Sequence, residues 1–148
     1  DKIMTAGEAV EKFIQDGDQI AMGGFTVNRN PMHLTREIIR QGRKELYLVV
    51  HSHGQAMELL IGAGCVRRVE LAYGGVARFA PTGYRFKKAF LEKRIEVEDY
   101  SNYQMTLRFM AGAMGLPFVA TTSGMSSLPS ISDVAAPQKR AVNRKPSL

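Results

Sequence analysis

Two adjacent glycines, Gly23 and Gly24, stand where an apolar run ends and a polar turn begins. Glycine lets the backbone adopt conformations closed to other residues and lets a ligand approach the main chain closely. Pro31 follows, at a position typical of a helix start, where the missing N–H had no partner anyway. The free N–H groups of such a start suit a carboxylate, a phosphate or an oxyanion. The sequence therefore predicts an anion-recognition turn, and a strand-to-helix connection without a ligand is the alternative.

The residues after the glycines offer further polar groups to such an anion. The main-chain amides of Phe25 and Thr26 are predicted to donate to it together with those of the glycines. The side chains of Thr26 and Asn28 add hydrogen-bonding capacity, and Arg29 offers a planar fork that binds carboxylates at two points. A solvent-facing arginine at a helix start explains Arg29 equally well.

A polar stretch, His51-Ser52-His53, directly follows the continuous apolar run 46–50. Ligands of open α/β sheets sit beyond the carboxyl ends of the strands, so we expect Ser52 and His53 to make hydrogen bonds in or near a substrate pocket. Two histidines at this spacing are a weak metal signal without a third ligand, and no metal site is predicted. A serine–histidine nucleophile pair would need an orienting acid and an elbow motif, which the sequence does not show.

Two later turns complete the predicted set of site residues. Gly74 and Gly75 end another apolar stretch and are expected in the same cleft, with a tight turn as the slightly favoured alternative. Ser101 and Asn102 follow a strand predicted near residue 98, where the simplest role for Ser101 is to cap the next helix.

The elements that must position these residues alternate between strands and helices. The predicted strands are Gln19–Met22, Leu46–Val50, Val66–Tyr73, Ile95–Glu98 and Leu116–Thr121. A first helix is predicted directly after a capping box formed by Thr5 and Glu8. The other predicted helices span Pro31–Gln41, Met57–Gly62, Pro81–Lys93 and Tyr103–Met114. Continuous apolar strands need cover on both faces, which crossover helices supply. The pattern predicts an α/β fold with an open, mainly parallel sheet and helices on both faces.

Length and composition indicate one soluble domain. The chain has 148 residues, of which 45% are hydrophobic, enough for a real core. We expect a domain over residues 1–125 and a surface tail or truncated connection over 126–148. No apolar run approaches the roughly 20 residues that span a bilayer, and Asp1-Lys2 does not open a signal peptide. The lone Cys65 fits a reducing compartment, so a cytoplasmic protein without a membrane partner is expected.

The net charge of +6 could serve to bind nucleic acid, but the sequence does not predict such a role. Basic residues cluster near residues 85–94 and again in the tail, but solvated helix faces explain most of them, and no nucleic-acid motif accompanies them.

Glu96 and Glu98 are expected to face solvent or Arg94. Neither a six-residue glycine fingerprint nor a phosphate loop follows any strand, which disfavours a nucleotide site.

In order and spacing, several segments resemble one known family, the α subunits of class I CoA-transferases, and glutaconate CoA-transferase in particular. The matching segments are Ala21–Thr26, Arg29–Pro31, Glu37–Gly42, Leu60–Gly64, Val66–Arg68, Tyr84–Phe86, Glu98–Ser101 and Gly115–Phe118. The resemblance covers about residues 3–128. Typical α subunits are far longer, which indicates a fragment or a chain with intervening residues missing, and a shortened homologue is the third possibility.

The resemblance implies an activity that the residues alone do not. Family members move coenzyme A between carboxylic acids through a thioester on a glutamate, which two-subunit members carry on the β subunit. This chain would then hold no catalytic nucleophile and would pair with a β subunit, in an α2β2 heterotetramer. Coenzyme A would be a substrate, carried as acyl-CoA, with no permanently bound cofactor. The second substrate would be a small carboxylic acid, possibly dicarboxylic.

The resemblance also sets the alternatives. It assigns the glycine turn to a substrate carboxylate or oxyanion. Some non-transferase relatives carry a catalytic acid near the position of Ser101 and Asn102, and since neither is an acid, a transferase is favoured. The runner-up is a CoA-ester hydrolase or decarboxylase on the same scaffold. From another class, a non-catalytic anion- or nucleotide-binding module is the third hypothesis.

Overall fold

The structure, a computed structural model, describes residues 3–123. These residues divide into two units, 3–99 and 100–123. The expected tail at 126–148 lies outside the described residues, and the domain boundary near residue 125 stays a prediction.

The first unit is built on a parallel four-stranded sheet. The strands of the first unit are β1 (Gln19–Met22), β2 (Leu46–Val50), β3 (Ser52–His53), β4 (Val66–Leu71), β5 (Tyr73–Gly74) and β6 (Glu96–Asp99). The main sheet has the order β1-β2-β4-β6, and β3 and β5 form a separate parallel pair. Every pairing between these strands is parallel, as predicted.

Helices connect the strands of the first unit. They are α1 (Ala6–Phe13), α2 (Met32–Arg40), α3 (Gln55–Gly62) and α4 (Tyr84–Leu91), with a short 3-10 turn at Ala77–Phe79. The second unit contains α5 (Asn102–Ala113). Parallel neighbours need a crossover connection, and helices of this length supply it. The predicted α/β class is confirmed.

The core of the first unit lies between the main sheet and α1 to α4. Because strand side chains alternate between faces, residues two apart point the same way. On one face, Met22, Leu48 and Val69 are buried beside apolar side chains of the four helices. The helix residues in this cluster are Val10, Ile38, Ala56, Met57, Leu60, Ile61 and Ala89.

The opposite face of the sheet carries a charged cluster centred on Arg68. This guanidinium contacts the carboxylates of Glu70 at 3.1 Å, Glu96 at 3.7 Å and Glu98. It also stacks over the ring of Tyr47 at 5.0 Å. Glu96 is exposed, as expected, but the charged partner of Glu96 and Glu98 is Arg68 and not Arg94, because parallel pairing of β4 with β6 places both carboxylates beside this buried arginine.

The start of α1 is fixed by residues that lie close together in the sequence. Thr5 and Glu8 form the predicted capping box, in which the Thr5 hydroxyl accepts from the Glu8 amide at 3.2 Å. In turn, the Thr5 amide donates a hydrogen bond of 2.7 Å to the Glu8 carboxylate, and this bond lowers the pKa of the Glu8 carboxyl.

Several predicted elements differ from the observed ones at their ends, and the predicted strand Val66–Tyr73 is divided between β4 and β5. Helix α4 begins at Tyr84, three residues after the predicted start at Pro81, because its first turn is capped from α3: the Glu58 carboxylate accepts from the amides of Arg85 and Phe86 at 2.8 and 2.7 Å. The strand predicted at 116–121 was wrong. These residues pair with no strand in the described chain, and a strand needs a neighbour to complete its hydrogen bonds.

Candidate functional site

The predicted site residues of the first unit gather at one edge of the main sheet. Gly23 and Gly24 directly follow β1. Ser52 and His53 lie in the segment after β2, and Gly74 and Gly75 lie in the segment after β4. Since β1, β2 and β4 are parallel neighbours, their carboxyl ends share an edge. Open α/β sheets place ligands beyond such an edge.

Main-chain pairing holds these three loops together. Ser52 pairs with Tyr73 and His53 with Gly74, in the small sheet of β3 and β5. Thr26 adds an isolated parallel bridge to His53 on the other side. The loop after β1, the loop after β2 and the loop after β4 therefore form one continuous layer.

The glycine turn has a strained and specific shape. The Phe25 amide donates to the Asn28 carbonyl at 2.9 Å, and the Asn28 amide donates back to Phe25 at 2.7 Å. Thr26 and Arg29 adopt φ values of 49° and 54°, a left-handed region that is unusual for side-chain-bearing residues, above all for β-branched threonine. Such strain persists only where the surroundings hold it, and it concentrates at functional sites.

Position 24 requires glycine for two reasons. Its φ of +118° is rarely open to other residues. A Cβ atom there would also lie 3.0 Å from the Arg29 carbonyl oxygen and 3.2 Å from that of Asn28. Position 23 differs, because a Cβ on Gly23 would meet nothing within 4 Å.

The amides of Phe25 and Thr26 do not serve as the anion donors that the sequence predicted. The Phe25 amide is used by Asn28, as above, and the Thr26 amide donates to the Ser52 carbonyl at 2.9 Å. Both residues therefore hold the turn in place. The sequence could not show this, because the acceptor for Thr26 lies in a different loop.

Asn30 organises the turn, a role that the sequence analysis missed. Its Nδ2 donates to the carbonyls of Thr26 and Asn28, each at 3.1 Å, and its Oδ1 accepts from the Ala56 amide at 3.0 Å. One side chain thus joins the turn to the start of α3. The available signal was an asparagine directly before Pro31, since asparagine commonly bonds to main-chain groups around turns.

His53 lies beneath the turn and is fully buried. Its Nε2 is 3.1 Å from the carbonyl oxygen of Gly23. Burial lowers the pKa of the imidazole, an effect that the hydrogen bond to Gly23 partly offsets. Ser52 is also buried, with its hydroxyl 3.0 Å from His51 Nδ1. The ring is closed to solvent, and its contact with Gly23 joins it to the turn.

The glycines of the other loops allow close packing of main chains. A Cβ at Gly54 would overlap the Gly75 carbonyl and lie 2.8 Å from that of Thr26. One at Gly75 would overlap the Pro81 carbonyl, and one at Gly74 would lie 2.8 Å from the Leu71 side chain. Both Gly74 and Gly75 are buried, which fits the tight-turn alternative.

The site residues of the first unit therefore form two groups. We call the solvent-facing group the exposed rim; it consists of Gly23, Phe25, Asn28 and Arg29. We call the group behind it the buried support; it consists of Thr26, Ser52, His53, Gly54, Gly74 and Gly75. Gly24 lies between them and is half-buried.

Ser101 and Asn102 belong to the second unit. The Ser101 hydroxyl accepts from the Gln104 amide at 3.1 Å, and Gln104 Oε1 accepts from the Ser101 amide at 2.8 Å, which completes a capping box for α5. The Ser101 hydroxyl also lies 3.1 Å from that of Ser123. The predicted capping role of Ser101 is confirmed, and its part in a substrate site stays a prediction.

Two kinds of feature are absent from residues 3–123. No three metal-ligating side chains of the histidine, cysteine, aspartate and glutamate types come together there. Nor does this part of the chain contain a helix with the length and apolar character to cross a membrane.

Known proteins resemble the chain in sequence and in structure. The family model for coenzyme A transferase matches residues 3–138. One of the subunits of 3-oxoadipate CoA-transferase from Pseudomonas knackmussii is 38% identical over 135 residues, which cover 88% of this chain and 47% of that protein.

Two solved structures share the fold at similar identity. Glutaconate coenzyme A-transferase from Acidaminococcus fermentans superposes with a TM-score of 0.79 at 33% identity, covering 86% of this chain and 42% of that one. The decarboxylase AibA/AibB gives a TM-score of 0.72 at 32% identity, covering 78% and 45%.

The chain spans less than half of the length of each of these three proteins. The family match nevertheless covers most of the chain, and it includes the glycine turn and all three loops of the site. The parallel order of the strands agrees with the fold of the two solved structures. The chain belongs to the coenzyme A transferase family.

Proposed function

We propose that this chain forms one wall of the acid site in a CoA-transferase. The observation that carries the proposal is the exposed Gly23 beside the half-buried Gly24, at the carboxyl edge of a parallel sheet. Its position is that of a ligand site in open α/β folds, and the family match supplies the class of reaction.

The chemistry needs a donor to a developing oxyanion. In the proposed reaction a glutamate carboxylate of the partner β subunit attacks the thioester carbonyl of acyl-CoA and displaces the CoA thiolate, which gives a mixed anhydride. The thiolate then attacks the glutamyl carbonyl of this anhydride, which gives the glutamyl-CoA thioester and releases the free acid with one glutamate oxygen. Charge develops on the attacked carbonyl oxygen, and preorganised N–H groups stabilise it. Since the amides of Phe25 and Thr26 are used inside the chain, the proposal assigns this role to Gly23 and Gly24 alone.

Arg29 is proposed to select the acid. Its side chain is exposed on the same turn as Gly23, six residues further along the chain. An arginine binds a carboxylate at two points, which suits the distal group of a dicarboxylic acid. Two relatives are named for 3-oxoadipate and glutaconate, which are both dicarboxylic.

The assembly and setting follow from the same family. We propose that the partner is a β subunit, in an α2β2 heterotetramer, and that the enzyme acts in the cytoplasm. Coenzyme A enters as acyl-CoA and is not held permanently. Ser101 and Asn102 are proposed to border the substrate. The 3-oxoadipate relative is named as one subunit of its enzyme, which supports an arrangement with two kinds of chain.

The test is to trap the covalent intermediate. The full-length protein is co-expressed with the reading frame next to its gene, and the purified complex is incubated with glutaconyl-CoA and, separately, 3-oxoadipyl-CoA. Mass spectrometry is expected to find CoA attached to a glutamate of the partner. A complex that transfers no CoA and forms no adduct with a panel of acyl-CoA esters would contradict the proposal.

A decarboxylase is the second candidate. It is favoured by the AibA/AibB structure, which is nearly as similar as the transferase structure. The same complex separates the two, together with hydrolysis. Carbon dioxide released without an acceptor acid indicates decarboxylation, and free CoA thiol released without an acceptor indicates hydrolysis, whereas a transferase requires the acceptor.

A further inference from the structure

We propose that His53 is a positioning residue that fixes the orientation of the Gly23–Gly24 peptide, so that the Gly24 N–H faces the acid. The proposal rests on the proposed function for the identity of the ligand. The geometry behind it concerns the protein alone, and it can be tested without any substrate.

The hydrogen bond determines the tautomer of His53. A carbonyl oxygen only accepts hydrogen bonds, so the contact of 3.1 Å with Gly23 requires a proton on Nε2. Nδ1 is buried and has no hydrogen-bond partner among the described residues. A second proton there would create a buried cation without an acceptor, and burial indeed lowers the pKa of this ring. His53 is therefore a neutral donor through Nε2.

Because the peptide is planar, fixing the carbonyl of Gly23 also fixes the direction of the Gly24 N–H. The carbonyl of Gly23 and the amide of Gly24 belong to one planar trans peptide, in which C=O and N–H point in opposite directions. His53 holds the carbonyl from the buried side, since the ring itself is fully buried. The N–H of Gly24 is thereby directed away from the ring, in a peptide whose first residue, Gly23, is exposed and whose second, Gly24, is half-buried.

Such a restraint is needed because this peptide lies between two glycines. Glycine populates positive and negative φ about equally, so rotating the peptide through half a turn costs little in backbone energy. The rotated peptide would present a carbonyl oxygen, which repels a carboxylate or an oxyanion. The hydrogen bond from His53 stabilises the donor-outward orientation over the rotated one.

The first experiment reads the tautomer directly. Long-range proton–nitrogen NMR spectra of the full-length protein in its complex, labelled with ¹⁵N-histidine, assign the ring protons of His53. We expect the proton on Nε2 throughout the neutral pH range. A proton on Nδ1 alone would overturn the proposal, whatever reaction the complex catalyses.

The second experiment compares two replacements of His53 in the complex. In His53→Gln the side-chain amide places an N–H near the former Nε2, whereas His53→Leu fills similar space without a donor. We expect His53→Leu to lower kcat by about 10²-fold, the usual cost of losing an oxyanion donor, with a much smaller change in KM. His53→Gln is expected to stay within about tenfold of the original kcat.

The outcomes separate this role from a merely structural one. Equal loss of kcat in folded His53→Leu and His53→Gln, or full activity in His53→Leu, would overturn the positioning role. Should His53→Leu fail to fold, the tautomer and the kcat of His53→Gln decide. Failure of the proposed function looks different, because the unmodified complex would then form no glutamyl-CoA adduct.

Discussion

The exposed rim and the buried support both contain glycine, but the glycines have different surroundings in the two groups. A Cβ at Gly23, in the rim, would meet nothing within 4 Å, whereas a Cβ at Gly54, in the support, would overlap a carbonyl of the neighbouring loop. The first glycine leaves room for something outside the chain. The second lets two main chains of the same molecule approach each other. Glycines close together at one edge of a sheet can thus differ in what requires them, and only their surroundings show which ones the packing of main chains requires.

The largest effect expected from this comparison is on folding stability. Gly54→Ala places a methyl group against the carbonyls of Gly75 and Thr26, so the loops must separate. We expect it to lower the free energy of unfolding by about 3 kcal/mol, measured by urea denaturation. Its matched control, Gly23→Ala, should change stability by less than about 0.5 kcal/mol. Equal losses in the two variants would remove the distinction between rim and support.

A somewhat smaller loss of stability is expected for the turn asparagine. Asn30→Ala leaves the Thr26 carbonyl and the Ala56 amide without their side-chain partner. We expect a loss of about 2 kcal/mol in urea denaturation, because the Ala56 amide becomes unsatisfied and the Thr26 carbonyl keeps only its bond from the Gln55 amide. The control is Asn28→Ala, whose side chain belongs to the exposed rim and should cost less than about 0.5 kcal/mol. An Asn30 variant as stable as its control would show that the turn holds its shape without this side chain.

The rim should respond in substrate binding and not in stability. Arg29→Met removes the proposed partner of a distal carboxylate, and we expect KM for a dicarboxylic acid to rise about tenfold, with no change for a monocarboxylic acid of similar length. Steady-state kinetics of the complex give both values. Arg36→Met, an exposed arginine on α2, serves as control. A similar change for both acids would argue against a role of Arg29 in selecting the acid.

The smallest effect expected is a pH dependence that originates in the support. The pKa of His53 is lowered in the folded protein, so the unfolded chain takes up a proton at a higher pH than the folded one. The associated stability is fully present above the ordinary histidine pKa and is lost as the pH falls toward the folded value. Urea denaturation between pH 7.5 and 5 should therefore show a steeper loss for the original protein than for His53→Gln. Parallel curves would indicate that folding does not lower the pKa of His53.

The sequence predicted the elements well and their mutual contacts poorly. The strands Gln19–Met22 and Leu46–Val50 have the predicted bounds, because an apolar run between turn residues is a local signal. The caps at Thr5 and Ser101 were likewise readable, since both partners lie within three residues. Asn30 also bonds to the Ala56 amide, 26 positions away, and Arg68 to Glu98, 30 positions away, and local spacing does not predict either of these contacts.

For the candidate site too, the sequence predicted its place in the fold but not the contacts between its loops. Its position at the carboxyl edge followed from the alternation of strands and helices, and the loops that it brings together were named correctly. Which amides stay available for a ligand could not be predicted, because the acceptor of the Thr26 amide is the Ser52 carbonyl in another loop. Burial was equally hidden: nothing in the sequence distinguishes the buried His53 from the partly exposed His51.

The Glu58 contact has a consequence for the order in which this chain acquires structure. A side chain on α3 supplies the acceptor for the first amides of α4, 27 positions further along. A short helix of this kind is marginal in water on its own, and here the residue before it, Gly83, contributes no side-chain cap. Helix α4 should therefore form only after α3 has docked, and a synthetic peptide covering residues 81–93 should be a random coil by circular dichroism.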